Sequence, residues 1–173
     1  QGNFMFGGGR PVGLAGDGVS EVYTGGIRIY GVDHVVTNNY LEGLNGLRFD
    51  APITLTQGDA TDNGSNSNLT NHLRAERVMI SNNTLVNNVH GIQIGFKNAS
   101  GSSTYNTALS GVTLANNIIT GSQGSMIEVI DNSSISGVTF TNNLMYPIAP
   151  ATQTSGTTTS IAAFNVDPAL ATD

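Results

Sequence analysis

Val112-Thr113-Leu114-Ala115-Asn116-Asn117-Ile118-Ile119 is one of four copies of a short phrase, and its repetition decides the fold. The other copies are Val35-Val36-Thr37-Asn38-Asn39-Tyr40-Leu41, Val78-Met79-Ile80-Ser81-Asn82-Asn83-Thr84-Leu85 and Val138-Thr139-Phe140-Thr141-Asn142-Asn143-Leu144-Met145. Gly2-Asn3-Phe4-Met5-Phe6 is a fainter copy near the start. Each alternates apolar and polar residues with a period of two, as a half-buried strand does, and then breaks at asparagine. Asparagine tolerates the left-handed backbone region that turns require. Stacked in register, turn asparagines also build ladders of amide hydrogen bonds. Such self-similarity is the mark of a solenoid. The last asparagine of each copy falls at 3, 39, 83, 117 and 143, at intervals of 36, 44, 34 and 26. A fixed phrase at unequal spacing implies regular rungs with insertions looped out of them.

A second class of strand lies between the copies: Gly26-Ile27-Arg28-Ile29-Tyr30, Pro52-Ile53-Thr54-Leu55, Gly91-Ile92-Gln93-Ile94-Gly95 and Met126-Ile127-Glu128-Val129. Two apolar residues flank one polar residue in each, which places the apolar pair inward and the polar one outward. Arg28, Thr54, Gln93 and Glu128 are thus expected to form one outward column. With strands about 4.8 Å apart, that column would be a continuous polar track suited to a linear polymer.

Composition narrows the class. The chain has 173 residues, 22 of them Gly, with 10% charged residues and no Trp; Ser, Thr and Asn stand where helical domains carry Lys and Glu. The one candidate helix is short, within Asn71 to Arg77, and a single-turn loop fits that stretch equally well. The absence of Cys leaves no disulfide framework and no thiolate metal site, and fits an exported bacterial protein, secreted or periplasmic. No apolar run is long enough to span a membrane, so no membrane partner is expected. The chain opens at Gln1 in mid-rung, and residues 1–173 read as one solenoid segment cut at both ends.

A net charge of −6, with only six scattered basic residues, argues against nucleic acid as a partner. For an acidic polymer, screening confines the overall repulsion to roughly 8 Å, so local basic residues decide. Arg28 sits on the outward column and Arg48 follows in Gly46-Leu47-Arg48-Phe49-Asp50. Either can present a planar fork of donors to a carboxylate. Each also has a structural alternative: Arg28 can pair with Glu21 or Asp33, and Arg48 with Asp50. The glycine pair Gly25-Gly26 before Arg28 would let a ligand approach the backbone.

The run from Gly25-Gly26-Ile27-Arg28-Ile29-Tyr30-Gly31 through Val32-Asp33-His34-Val35-Val36-Thr37-Asn38-Asn39-Tyr40-Leu41-Glu42-Gly43-Leu44 closely resembles the polysaccharide lyase family of chondroitinase B and many alginate lyases. Gly2 to Gly8, the rung from Val78 to Gly95 and the closing Asp167-Pro168-Ala169-Leu170 are similar to the same family, while Gly101 to Thr159 resembles it only weakly. The resemblance implies an all-β fold, a right-handed parallel β-helix. It also implies β-elimination on an acidic polysaccharide, alginate or a glycosaminoglycan such as dermatan or chondroitin. In that family calcium held on Asn and Glu masks the substrate carboxylate, a Lys is the base, and an Arg in an Arg-His-Gly motif assists. This sequence carries no such motif, and its single lysine, Lys97, follows a late rung. The catalytic groups are therefore expected upstream of Gln1, and no metal is expected on this segment. Arg28 falls where the family has a substrate-binding arginine.

Of the histidines, His34 and His90 read as structural hydrogen-bonders beside rungs. His72 is the functional candidate, because it lies in the long insertion Gln57 to Arg77, and insertions on solenoids commonly rim the binding face. Asp59-Ala60-Thr61-Asp62-Asn63-Gly64 lacks the ligand spacing and terminal Glu of a calcium loop. The substrate-binding candidates are thus Arg28, Arg48, His72 and Gln93. A non-catalytic solenoid, an adhesin or a filament former, would share the repeats, and bare rungs at both ends would allow end-to-end stacking. A pectate lyase or polygalacturonase would share the fold, but the paired aspartates those enzymes need are not seen.

Overall fold

The computed structural model describes residues 2–6, 11–14, 21–23, 26–44, 51–58, 73–95, 107–157 and 159–169. Three parallel sheets are wound by one chain. The first face stacks Ile27–Ile29, Ile53–Leu55, Ile92–Ile94, Ser125–Val129 and Thr152–Ser155. The second stacks Val35–Thr37, Met79–Ser81, Val112–Ala115 and Val138–Thr141. The third stacks Phe4–Phe6, Tyr40–Glu42, Thr84–Val86, Ile118–Thr120, Asn143–Tyr146 and Ala163–Phe164. Each repeated phrase supplies one strand of the second face and one of the third, with the asparagine pair at the corner between them. Pro11–Leu14 and Glu21–Tyr23 add an antiparallel pair that the repeat pattern does not announce.

The asparagine pair divides its two tasks. The first member takes the left-handed backbone, with φ of 57° at Asn38, 54° at Asn82, 55° at Asn116 and 51° at Asn142. The second member turns inward and is buried. Asn39 Oδ1 accepts from Asn3, Asn83 Oδ1 accepts from Asn39, Asn117 Oδ1 from Asn83 and Asn143 Oδ1 from Asn117, each through both backbone N–H and Nδ2 at 2.9–3.1 Å. A buried amide with every group engaged avoids the penalty of an unpaired one.

The interior is a stack of aliphatic rows. Ile53, Leu55, Ile92, Ile94 and Ile127 on the first face, Ile80 and Leu114 on the second, and Leu41, Leu85, Ile119 and Met145 on the third are fully or almost fully buried. The apolar pairs of the first face point inward as their alternation requires, with Ile27 half-buried at the end of its row. Glycine serves close approach at Gly91, where a Cβ would fall onto the Met126 carbonyl oxygen and Ile119 Cγ2.

In chain order, residues 56–78, 95–111 and 130–137 connect a strand of the first face to the next strand of the second. Leu73–Arg77 is not helical there. Val32, Glu76 and Ser110 form parallel bridges, and Ala75 N–H donates to the Thr56 carbonyl at 2.9 Å, so hydrogen bonds to neighbouring rungs outweigh local helix propensity. Asn132–Gly137 forms a 3₁₀ helix capped by Asp131, whose carboxylate accepts from Ser133 N–H at 2.9 Å. Among the described residues no helix is long and apolar enough to cross a membrane.

Candidate functional site

The outward column of the first face exists in register: Arg28 pairs with Thr54, Thr54 with Gln93, Gln93 with Glu128 and Glu128 with Ser155. It is not an open track. Arg28 is exposed, but Thr54 and Gln93 retain only 1% and 4% of their accessible surface. Their side chains are spent on one another. Thr54 Oγ1 donates to Gln93 Oε1 at 3.3 Å, and Gln93 Nε2 donates to Glu128 Oε2 at 2.8 Å. Period-two alternation specifies a side of the sheet and says nothing about what covers that side, which is why the expectation of a continuous solvent-facing track fails at these two residues.

Beyond Glu128 the polar chain continues. His90 Nε2 lies 3.7 Å from Glu128 Oε1, and His90 Nδ1 accepts from Ser125 N–H at 3.1 Å. Because Nδ1 accepts, the proton of the neutral ring resides on Nε2, facing the carboxylate. The Ser125 hydroxyl lies 3.1 Å from Nδ1 and 2.8 Å from the Ser155 hydroxyl. A Cβ at Gly124 would collide with the His90 ring, so glycine seats the imidazole there.

At the open end of the column the guanidinium carbon of Arg28 sits 4.4 Å from the centroid of the Tyr30 ring. Residues 28 and 30 share a side of the strand by its period of two. Asp33, one of the two alternative partners of Arg28, is held by Arg77 through two bonds, Nε to Oδ1 at 2.8 Å and Nη2 to Oδ2 at 3.0 Å. That fork draws the Asp33 carboxyl below its usual 3.8. Arg77 also bonds Glu76, which in turn accepts from Arg74 Nε at 2.8 Å. Gly26 proves to be a packing glycine: its Cβ would fall onto the Pro52 carbonyl, which accepts from Ile27 N–H at 2.8 Å, so close approach of the Pro52 backbone accounts for it.

His34 fulfils its structural reading, with Nε2 donating to the Tyr30 carbonyl at 2.7 Å. Arg48, His72, Lys97, Gly25 and the stretch Asp59 to Gly64 lie outside the described residues. Of the four substrate-binding candidates, the structure therefore places Arg28 and Gln93 on one column, the first exposed and the second built into the hydrogen-bonded chain. Among the described residues no group of three or more acidic or histidine side chains is placed to hold a metal ion. Glu76, Asp33 and Glu128 are engaged by Arg74, Arg77 and Gln93.

Three parallel sheets wound over an aliphatic interior and joined at one corner by buried asparagines define a parallel β-helix. The chain belongs to the chondroitinase B family, whose profile, described as Chondroitinase B, matches residues 14–168. It is similar to the PL6 family alginate lyase AlyGC, with 32% identity and a TM-score of 0.59 over 89% of this chain and 20% of that one. A point variant of the same enzyme aligns at 32% identity with a TM-score of 0.63 over 84% of this chain and 18% of that one. A mannuronic acid specific polysaccharide family 6 lyase from human gut microbiota shares the fold at 18% identity, with a TM-score of 0.61 over 84% of this chain and 31% of that one. The chain thus spans 18% to 31% of the length of these enzymes. No curated protein sequence matches it.

Proposed function

We propose that this chain supplies rungs of the substrate groove in a polysaccharide lyase that cleaves uronic-acid polymers by β-elimination, with alginate as the favoured substrate and dermatan or chondroitin as the alternative. Calcium and export from the cell belong to the same proposal for the complete enzyme. In the elimination a base removes the C5 proton, the C–H electron pair becomes the C4–C5 double bond, and the C4–O bond breaks as its oxygen gains a proton. We assign no catalytic residue to this chain. Its part is recognition: Arg28 takes the carboxylate of a uronate unit in a charge-assisted fork.

The observation that carries this reading is Arg28 itself, exposed on the first face with its guanidinium lying over the Tyr30 ring. A charge-assisted hydrogen bond contributes about 1.5 to 3 kcal/mol. Arg28→Ala in the complete lyase is therefore expected to lower kcat/KM about tenfold to a hundredfold, with thermal stability unchanged. Formation of the unsaturated uronate product, followed by its ultraviolet absorbance, is the assay. An Ala variant with a lowered melting temperature and unchanged kinetics would make Arg28 a structural residue and remove the groove from this face.

A further inference from the structure

We propose that the corner between the second and third faces carries a saccharide site, in which the exposed amides of Asn38 and Asn82 and the hydroxyl of Thr84 hold the ring hydroxyls of a pyranose chain. This goes beyond the reading of Arg28, which lies on the first face, and does not rest on it. The corner holds an open groove of about 450 Å³ that crosses three rungs, from Asn3 and Phe4 past Asn38 and Tyr40 to Asn82 and Thr84. With strands about 4.8 Å apart, three rungs span roughly 10 Å of the solenoid axis, which suits a linear ligand.

The chemistry of the lining selects the ligand. Among the described residues none of those lining the groove is charged, although the chain carries a net charge of −6. An amide both donates and accepts, and so does a hydroxyl, so Asn38, Asn82 and Thr84 match a partner whose own groups do both. Sugar hydroxyls fit that requirement. A carboxylate or phosphate only accepts, and meets no cation on this lining. An aliphatic chain would strip water from these groups without replacing their bonds. The apolar wall is the Phe4–Tyr40 pair, in-register neighbours whose rings stack at 5.1 Å and 4°; Phe4 keeps 69% of its accessible surface, and the pair suits the C–H edges of a pyranose.

Backbone geometry alone does not demand these asparagines. The corner between the third and first faces makes the same left-handed turn with Gly43 at φ 63° and Gly121 at φ 68°, as well as Asn87 at φ 55°. At the corner between the second and third faces every copy carries asparagine, and the side chain is what glycine would omit. Asn38 N–H donates to the Ser81 carbonyl at 3.3 Å and Asn82 N–H to the Ala115 carbonyl at 3.1 Å. Both amides thus project from backbone tied to the next rung, which lowers the ordering cost of binding.

The test measures binding of β-1,4-mannohexaose to the complete lyase by calorimetry. That oligomer has pyranose hydroxyls and no carboxylate to acidify a C5 proton, so β-elimination does not consume it. Two hydrogen bonds of ordinary net strength correspond to about a fivefold to a hundredfold change in affinity. Asn38→Gly/Asn82→Gly, which keeps both turns, should weaken binding by that factor with the circular dichroism spectrum unchanged. Thr84→Val, a strand substitution that tests the groove without touching the turns, should weaken it about two- to tenfold. Asn142→Gly, at the same corner but outside the groove, should bind as wild type, and added salt should not weaken binding, because no charge takes part. No binding by wild type, or wild-type affinity in both groove variants, overturns the proposal. Binding lost in Arg28→Ala and retained in the groove variants places the oligomer on the first face and overturns it equally. The KM for alginate in the double glycine variant then distinguishes the source of the sugar: a raised KM with kcat unchanged means that the substrate polymer reaches the corner, and an unchanged KM assigns the groove to a separate neutral glycan, the site standing in either case.

Discussion

Replacing Asn83 by Ala should cost the solenoid more than any single exposed contact. The side chain is fully buried and makes four hydrogen bonds: Oδ1 accepts from Asn39 N–H and Nδ2, while Nδ2 donates to the Val36 carbonyl and to Asn117 Oδ1. At about 0.5 to 1.5 kcal/mol each, their loss amounts to roughly 2 to 6 kcal/mol. The upper part of that range is relieved if a water enters the space left by the amide, since the vacated partners are polar and convergent. We expect about 2 to 4 kcal/mol. Asn3→Ala is the internal control. Asn3 is exposed at the end of the ladder, and its Ala variant keeps the backbone bond to Asn39 Oδ1 and loses one part-buried bond, so about 1 kcal/mol should go. Asn82→Gly separates the turn from the ladder, because Asn82 is exposed at φ 54° and glycine adopts that conformation without strain. Urea titration followed by far-ultraviolet circular dichroism, with slopes compared to confirm a common transition, reads all three. Equal midpoints for Asn83→Ala and Asn3→Ala would refute the argument that burial of the ladder gives it its worth.

Ile92→Ala removes a fully buried side chain in register between Ile53 and Ile127, and should destabilise by about 2 to 5 kcal/mol in the same titration. A loss under 1 kcal/mol would mean that the rows collapse freely to fill the gap. Asp33→Asn tests the exposed Arg77 fork without disturbing the backbone, since Asn tolerates the φ of 62° found there. The folded carboxyl titrates below 3.8 because Arg77 bonds its ionised form, so its stabilisation is fully present above the unfolded carboxylate range and lost as pH falls through the depressed value. Wild type should therefore lead Asp33→Asn at neutral pH and converge with it once pH falls below the depressed Asp33 value. A constant gap down to acid pH would assign the effect to something other than the carboxylate charge.

The rungs were legible because burial on one side of a strand imposes a period of two, and because a stacked turn re-uses one residue type. The side chains that meet across rungs were less so, although the repeat offset encodes some of them. Val35 stands opposite Met79 and Asn39 bonds Asn83, both 44 residues apart; the same offset from Asp33 reaches Arg77, its partner. Gln93 meets Glu128 at 35, as does His90 with Ser125. Applying each offset to polar residues flanking the phrases would have found these pairs. What no offset yields is cover. Thr54 and Arg28 occupy equivalent outward positions on neighbouring strands, yet one is sealed and the other exposed. Alternation fixes direction, while burial depends on what packs against that side of the sheet, which a period of two does not encode.

That difference bears on where a polymer can lie. A carboxylate approaching the described first face meets Arg28 at one end and the Gln93–Glu128–His90 chain toward the other. The middle of the column has its donors and acceptors satisfied internally: the Thr54 hydroxyl donates to Gln93 Oε1 and the Gln93 amide donates to Glu128, so a sugar placed there would have to displace bonds already made. Exchanging one good hydrogen bond for another yields little net free energy. The far end is also less hospitable, because Glu128 brings a second negative charge toward an acidic polymer across a partly desolvated surface where screening is weak. On the proposed reading, contact with a uronate therefore belongs at the Arg28 end of the described column. The later rungs act through the stack, holding the strand that carries Arg28 in register by way of Thr54 and Gln93.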